Sequence, residues 1–461
     1  MSVTQDGPFP AESASGTDDV IFPAESAGGT VATASFGGFV ARAQAAGQLV
    51  VQPRMGVSNP AQMRAGLLAT RRATATTIGT ITLDSYTRVG DDARARAALA
   101  AGLDLNGYPI VAHDRATTRA VLEGVAGPSF PVQIRHGSPG PENIFAALIE
   151  VGLDATEGGP VSYCLPYSRA PLAASVRSWT RSCERLARVG PQAHLETFGG
   201  AMMGQLCPPS LLVAMSVLEC LFFRQHGIRS VSLSYAQQTN PDQDREAVAA
   251  LHRLADQYLS DVDRHVVIYA YMGVFPRTPA GAGALLAEAA RLAVRTGAAR
   301  LIVKTAAEAH RIPTIAENVA ALESAAAVAD DERRQPVLDE VDDTGIHAEA
   351  AAFIDAVLEL GPDLGHSLIT AFRRGYLDVP YCLHPDNAGR ARSYLDRTGR
   401  LQWSRLGSLP IRSLVRPAAA SELTAAGLLE SLSYVERKFD DAGLDEYLTG
   451  PAQPIGARSD S

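Results

Sequence analysis

The chain has 461 residues, 46% apolar and 20% charged, which suffices for a barrel-sized domain with a large core plus an appendage. A net charge of −9 and a pI near 5.6 argue against nucleic acid or an anionic membrane as the main partner. The cysteines at 164, 183, 207, 220 and 382 form no CxxC pair and no metal-ligand spacing, so reduced thiols in a cytoplasm are the expectation and no metal site is read.

Residues 1–34 are rich in Gly, Ser, Ala and Pro, repeat FPAESA from Phe9 and from Phe22, and have little to bury; they read as a flexible N-terminal tail. GGFVARAQAAGQL then spaces its apolar residues as a short helix. Eight β-rich runs follow, separated by alanine-rich segments of helical spacing. They are LVVQPR to Arg54, TITLDSYTR to Arg88, PIVAH to His113, PVQI before Arg135 and His136, and PVSYCL with Tyr163 and Tyr167. SVSLSY to Tyr235, HVVIYAYM around Tyr269 and Tyr271, and RLIVKT to Lys304 complete the set. A ninth candidate, AHLETF at 193–198, leaves the register of the middle strands open.

Eight alternating units predict an α/β fold, a (β/α)8 TIM-type barrel over residues 35–328, with the active site at the strand C-termini. A doubly wound sheet is the competitor, but no run opens onto GxGxxG. Between the middle strands, the run from Ser210 to Phe223 is too short to span a membrane, carries Glu219 and reads as a buried helix. The charged stretch ADDERRQP at 329–336 marks a boundary. Residues 337–461 read as a C-terminal appendage, α-rich with short strands, that covers the barrel mouth or docks a partner.

Arg54, Arg88 and Arg135 stand at three predicted strand ends. The guanidinium fork matches carboxylate oxygens bidentately, so three at one mouth suit a dianion such as a dicarboxylate or a phosphate; the alternative is that each pairs with an acid of the fold. Glu157, Tyr163 and Tyr167 lie within eleven residues and offer a carboxylate for an ammonium or a proton, with a flat hydroxyl-bearing wall. Buried tyrosines with satisfied hydroxyls are the plain alternative, and His136 is open between the two roles. Only two of the 41 basic residues are lysines, so Lys304 at a strand end stands out, four residues before Glu308. It suits a Schiff base with a carbonyl substrate, a hydrogen bond to a cofactor, or an ordinary ion pair with Glu308.

QPRMGV, LDSYTR, LNGYP, RHGSP, TEGGPVSYCLPY, QLCPPS, MGVFP and VKTAAEAHRIPT, in this order from Gln52 to the DVPYCLHPDNAGR tract, resemble the large catalytic (epsilon) subunit of glutamate mutase, or methylaspartate mutase. The resemblance implies a (β/α)8 barrel that shares adenosylcobalamin with a separate small cobalamin-binding subunit, as a dimer of this subunit in a heterotetramer. It implies a carbon-skeleton radical rearrangement of L-glutamate to (2S,3S)-3-methylaspartate. Carried over motif by motif, it puts Arg54, Arg88, Arg135 and His136 on the substrate carboxylates, Glu157 on the amino group, and Tyr163 and Tyr167 against the substrate. It puts Gly56, Asn106, Pro166, Phe275, Lys304, Glu308 and Ile312 at the cofactor, with Lys304 and Glu308 at its ribose. Tyr269 stands where the family commonly has histidine, and the DxHxxG cobalt-ligand signature is absent, as expected for this subunit alone. A Schiff-base barrel lyase using Lys304 and a non-catalytic paralogue that binds the small subunit are the alternatives.

Overall fold

The computed structural model describes residues 35–199, 206–336, 341–417 and 424–449; the tail read at 1–34 and the polar tail from 450 lie outside the described residues. Eight parallel strands, β1 Val50–Gln52, β2 Gly79–Thr82, β3 Val132–Arg135, β4 Ala155–Glu157, β5 His194–Glu196, β6 Ser230–Ala236, β7 Asp263–Tyr269 and β8 Arg300–Ile302, hydrogen-bond in the order 1-8-7-6-5-4-3-2. A parallel bridge between Val51 and Thr77, with the Thr82 amide donating to the Met55 carbonyl at 2.9 Å, brings β2 back against β1 and closes the ring. The fold is the expected (β/α)8 barrel, with short strands that lean on the surrounding helices for burial.

Two of the eight expected strands are not strands. PIVAH turns back on itself, the Ala112 and His113 amides both returning to the Pro109 carbonyl; proline takes no part as a ladder donor there and favours the turn. PVSYCL coils into a helical turn in which Tyr163 donates to Gly159 and Leu165 to Val161. The strand lies just before it, at Ala155–Glu157, and ends at Gly158, whose φ of +121° an L side chain rarely adopts. AHLETF is a strand, β5, and restores the count of eight. Arg88 also leaves the strand-end position expected for it. Asp84 caps the amides of Tyr86 and Thr87 and starts the one-turn helix Ser85–Arg88 beyond β2.

The first helix, Phe36–Ala45, is capped by Ser35 and plugs the N-terminal end of the barrel with Phe36, which stacks on His194 at 4.6 Å. Above this plug the barrel interior is polar. Arg300 and Glu196 are both fully buried and paired, and Arg300 also donates to Gln52 and to Ser232. Gln133 donates to Glu196 at 3.2 Å and Gln52 donates to Gln133 at 2.7 Å. Each charge is thus paired and hydrogen-bonded, which is the condition for tolerating charge away from water.

Outside, the helix Pro209–Gln225 is the buried helix read from its apolar run. It is enclosed by the helices Ile346–Leu358 and Leu364–Arg374 of the C-terminal part. The charged stretch from 329 does not break the chain; its first five residues complete the helix Ile315–Arg333. The antiparallel hairpin β9 Arg392–Leu395 with β10 Leu401–Arg405 and the terminal helix Tyr434–Thr449 then return toward the mouth. Among the described residues no helix is long and apolar enough to cross a membrane.

Arg300→Met leaves Glu196 as an uncompensated buried charge. The expected loss is about 3–5 kcal/mol of unfolding free energy, read from the midpoint of urea denaturation.

Candidate active site at the barrel mouth

β3, β4, β5 and β7 deliver four side chains to one point at the C-terminal end of the barrel. Glu157 ends β4 and lies in register with Glu196 of β5. Arg135, the last residue of β3, places its Nη2 2.9 Å from Glu157 Oε2. Tyr269, the last residue of β7, sets its hydroxyl between both carboxylates, 2.8 Å from Glu157 Oε2 and within reach of Glu196 Oε1, so that its one proton is shared between them. Tyr163, carried on the turn after β4, donates to Glu157 Oε1. The Arg135 guanidinium lies 5.0 Å from the Tyr269 ring centre and 6.0 Å from that of Phe198, so aromatic faces wall the cation on two sides.

Burial pushes the Glu157 carboxyl up, against the pull of Arg135, and neighbouring Glu196 adds to the rise. Burial pushes Glu196 up as well, but Arg300 and then Arg135 outweigh it and hold that carboxyl below its ordinary range. Burial and the adjoining carboxylate hold Tyr163 and Tyr269 as neutral phenols. His136 stacks on Trp179 at 5.8 Å, and its Nδ1 accepts the Ser138 amide at 3.1 Å. The proton of the neutral ring is therefore on Nε2. Burial, then the charges of Arg88 and Arg135, push His136 down to about 3. Among the described residues, Arg135 Nη1 and His136 Nε2 are two of several buried donor atoms that have no hydrogen-bond partner, with Trp179 Nε1 a third, behind the His136 ring. Adjacent and aimed from one strand end, the first two are what an anionic oxygen would satisfy.

The other residues read from the sequence divide into two groups. Arg88 lies against Gly137, beside His136, and its Nε donates to the Asp84 carbonyl. Tyr167 stands half-exposed above Tyr163, its phenol within electrostatic reach of Arg54, Glu157, Arg135 and Arg88 together. These residues share the mouth with the Arg135–Glu157 pair. On the β8 side, Lys304 is almost fully buried, 4.4 Å above the Phe275 ring, and donates to the Tyr271 carbonyl at 3.2 Å. Burial, then the charge of Arg54, lower its ammonium to about 8. Glu308 sits in the short 3-10 turn Ala306–Ala309 and pairs with Arg54 at 2.8 Å rather than with Lys304. Arg54 thus links the two groups of residues.

Gly56 follows Arg54 so closely against β2 that a Cβ there would lie 2.1 Å from the Thr82 carbonyl oxygen. Asn106 holds the Ser85 amide at 3.0 Å and is exposed, as are Pro166 and Ile312, so these three form an outer rim. Glu196, Arg300 and Phe198 escaped the sequence reading. The signal for them was present in AHLETF, where His194, Glu196 and Phe198 alternate along one face of a strand that a soluble core would make apolar.

The family described as Methylaspartate mutase E chain (MutE) matches residues 32–435. Glutamate mutase epsilon subunit of Escherichia coli O157:H7 is 30% identical over 350 residues, 72% of each chain. That of Halobacterium salinarum is 32% identical over 344 residues, 72% of this chain and 71% of its own. That of Desulfitobacterium hafniense is 30% identical over 399 residues, 81% of this chain and 80% of its own.

His136 and His194 are both pushed down to about 3, below the ordinary unfolded value of 6.5. The unfolded chain therefore takes up their protons first, so their contribution to stability is complete above about pH 6.5 and declines as pH falls below it. The pair is expected to contribute a slope of about 3 kcal/mol per pH unit between about pH 6 and pH 4, read as the difference between unfolding curves of the wild type and of a variant carrying His136→Gln and His194→Gln.

Proposed function

Because the chain belongs to the methylaspartate mutase E chain family and is a catalytic mutase subunit, an isomerase, we propose that it interconverts L-glutamate and (2S,3S)-3-methylaspartate with adenosylcobalamin shared with a separate small cobalamin-binding subunit. The observation that carries the substrate reading is the buried Arg135–Glu157 pair with Arg135 Nη1 and His136 Nε2 left as free donors beside it. One substrate carboxylate takes these donors and the other takes Arg88, with Arg54 at the side where Glu308 already holds it. The amino group faces Glu157, the acid at the centre of the mouth. Tyr163 and Tyr269 fix that carboxylate by hydrogen bonds to its two oxygens, so the substrate is oriented before any bond is broken.

The donor set on the β8 side fits the cofactor. Lys304 has three donors, of which the Tyr271 carbonyl takes one, and its desolvated ammonium suits a sugar hydroxyl. Glu308 accepts beside it, Phe275 supplies an apolar floor, and Gly56, Asn106, Pro166 and Ile312 form the rim that a large planar group would cover. When bound, the group supplies hydrogen-atom abstraction. The chain's own residues hold the substrate by its three charged ends, and the walls of Phe198, Tyr163 and Tyr167 keep water from a reactive fragment.

A Schiff-base lyase draws on one observation, the Lys304 amine lowered to about 8. Borohydride trapping of substrate on Lys304 would favour it; no adduct together with glutamate turnover would favour the mutase.

The chain alone is expected to show no turnover with adenosylcobalamin and L-glutamate, and to gain it when a small cobalamin-binding subunit is supplied; activity of the single chain would overturn the shared-cofactor reading. In the reconstituted enzyme, Arg88→Lys and Arg135→Lys each keep the charge but lose the fork, with an expected loss in kcat/KM of about tenfold to a hundredfold. Glu157→Gln keeps the shape and deletes the charge, and kcat/KM is expected to fall about tenfold to a thousandfold with cofactor binding little changed. Normal turnover of L-glutamate by that variant would withdraw the amino-group assignment.

A further inference from the structure

Glu219 is the one acid in the long buried helix Pro209–Gln225, and nothing in the substrate site uses it. It is 0% exposed. Among the described residues no cation pairs with it: its Oε1 accepts the backbone amides of Val161 at 3.0 Å and Ser162 at 2.9 Å, and the Ser162 hydroxyl adds to their pull. The charged or titratable groups facing it are the Cys183 thiol from the helix Leu172–Ala187 and the neighbouring Cys220 thiol, both pushed well up by burial and so neutral. A buried carboxyl with no cation beside it costs stability, and only these hydrogen bonds from the Val161–Ser162 turn offset that cost.

Those contacts are with the turn that builds the mouth. Val161 and Ser162 immediately precede Tyr163, the hydroxyl donor to Glu157, and lead into Pro166 and Tyr167. The two glycines before them are explained by the same packing. A Cβ on Gly159 would fall 2.1 Å from the Glu219 Oε1, and one on Gly158 would fall 2.4 Å from the Tyr163 ring. Gly159, Val161 and Ser162 therefore close on the Glu219 carboxylate, and Gly158 lets the Tyr163 ring fold back onto the same turn. That turn replaces the strand expected from the sequence.

We propose that Glu219 is a positioning residue of the active site: its carboxylate grips the Val161 and Ser162 amides and so sets where the turn presents Tyr163 and Tyr167. The functional part of this rests on the mutase reading; the grip itself does not. Amides bind an ionised carboxylate more strongly than a neutral one. Burial pushes Glu219 up to about 7, against the pull of the Ser162 and Val161 hydrogen bonds. The grip is therefore full above about pH 7 and loosens as pH falls through it.

Two measurements test this, on the full chain and on its complex with a small cobalamin-binding subunit. Hydrogen exchange needs no substrate. The amides of Val161 and Ser162 are expected to be protected in the wild type, to exchange at least tenfold faster in Glu219→Leu, and to exchange at an intermediate rate in Glu219→Gln, whose neutral carbonyl oxygen accepts both more weakly. Unchanged protection in Glu219→Leu, with thermal unfolding showing a folded chain, would overturn the grip.

The kinetic measurement uses L-glutamate. Glu219→Leu is expected to raise KM at least tenfold. Glu219→Gln, neutral at every pH, is expected to show at pH 8 the raised KM that the wild type reaches only below about pH 7, and to lose the pH dependence. If both variants lower the melting temperature but leave KM and its pH profile as in the wild type, Glu219 is structural only and the positioning role is withdrawn. Should the wild type fail to turn over L-glutamate, the mutase reading falls and takes the functional part with it, while the exchange result still decides the grip.

Discussion

The pairing of Glu196 with Arg300 inside the barrel is the constraint on which the mouth depends. A (β/α)8 barrel is filled by its own side chains, normally branched apolar ones. Here two full charges occupy the middle, and they persist because every donor and acceptor around them is engaged. Arg300 reaches Gln52, Ser232 and Glu196, and Glu196 receives Gln133, Ser232 and Tyr269 as well. Tyr269 then carries the network upward to Glu157, and Glu157 to Arg135. Glu157, at the centre of the mouth, is thus tied through one phenol to a buried ion pair below it. Positions fixed in this way are pre-organised, which is what binding a small, highly charged molecule requires.

The two sides of the mouth differ in chemistry. The β3–β4–β7 side is deep, aromatic-walled and carries the unpartnered donors. The β8 side is shallower and carries a nearly desolvated lysine over a phenyl ring. Arg54 stands between them, held by Glu308 at 2.8 Å. An anion arriving near Arg54 competes with Glu308 for it, so charge placed on one side is felt on the other.

The C-terminal part packs on the barrel and also closes on the loops of the mouth. Asp386 accepts the Leu172 amide at 2.7 Å, at the start of the helix that follows the Tyr163 turn. His384 bonds the Ala170 carbonyl at 3.0 Å. Asp440 caps Arg277 and Thr278 just beyond Phe275, and Val435 packs in the same cluster as Tyr271 and Phe275. Both sides of the mouth are therefore buttressed by residues from beyond the barrel.

The barrel, the buried helix and many of the side chains that meet at its mouth could be read from the chain itself. Alternation of short β-rich runs with alanine-rich helical ones is a local pattern, and residue chemistry at the ends of those runs is local too. What the sequence could not settle was where the middle strands lie. PVSYCL has the composition of a strand but coils, because Gly158 turns the chain and Glu219, 58 residues from Val161, takes its amides. AHLETF was ambiguous because its inward side chains are polar, and they are polar because Glu196 meets an arginine 104 residues away. The partners were likewise out of reach: Arg54 with Glu308 across 254 residues, and Glu157 with Tyr269 across 112. Periodicity fixes which face of an element is buried. Only closure of the barrel decides which buried charge meets which, since that choice is made between strands and not along them.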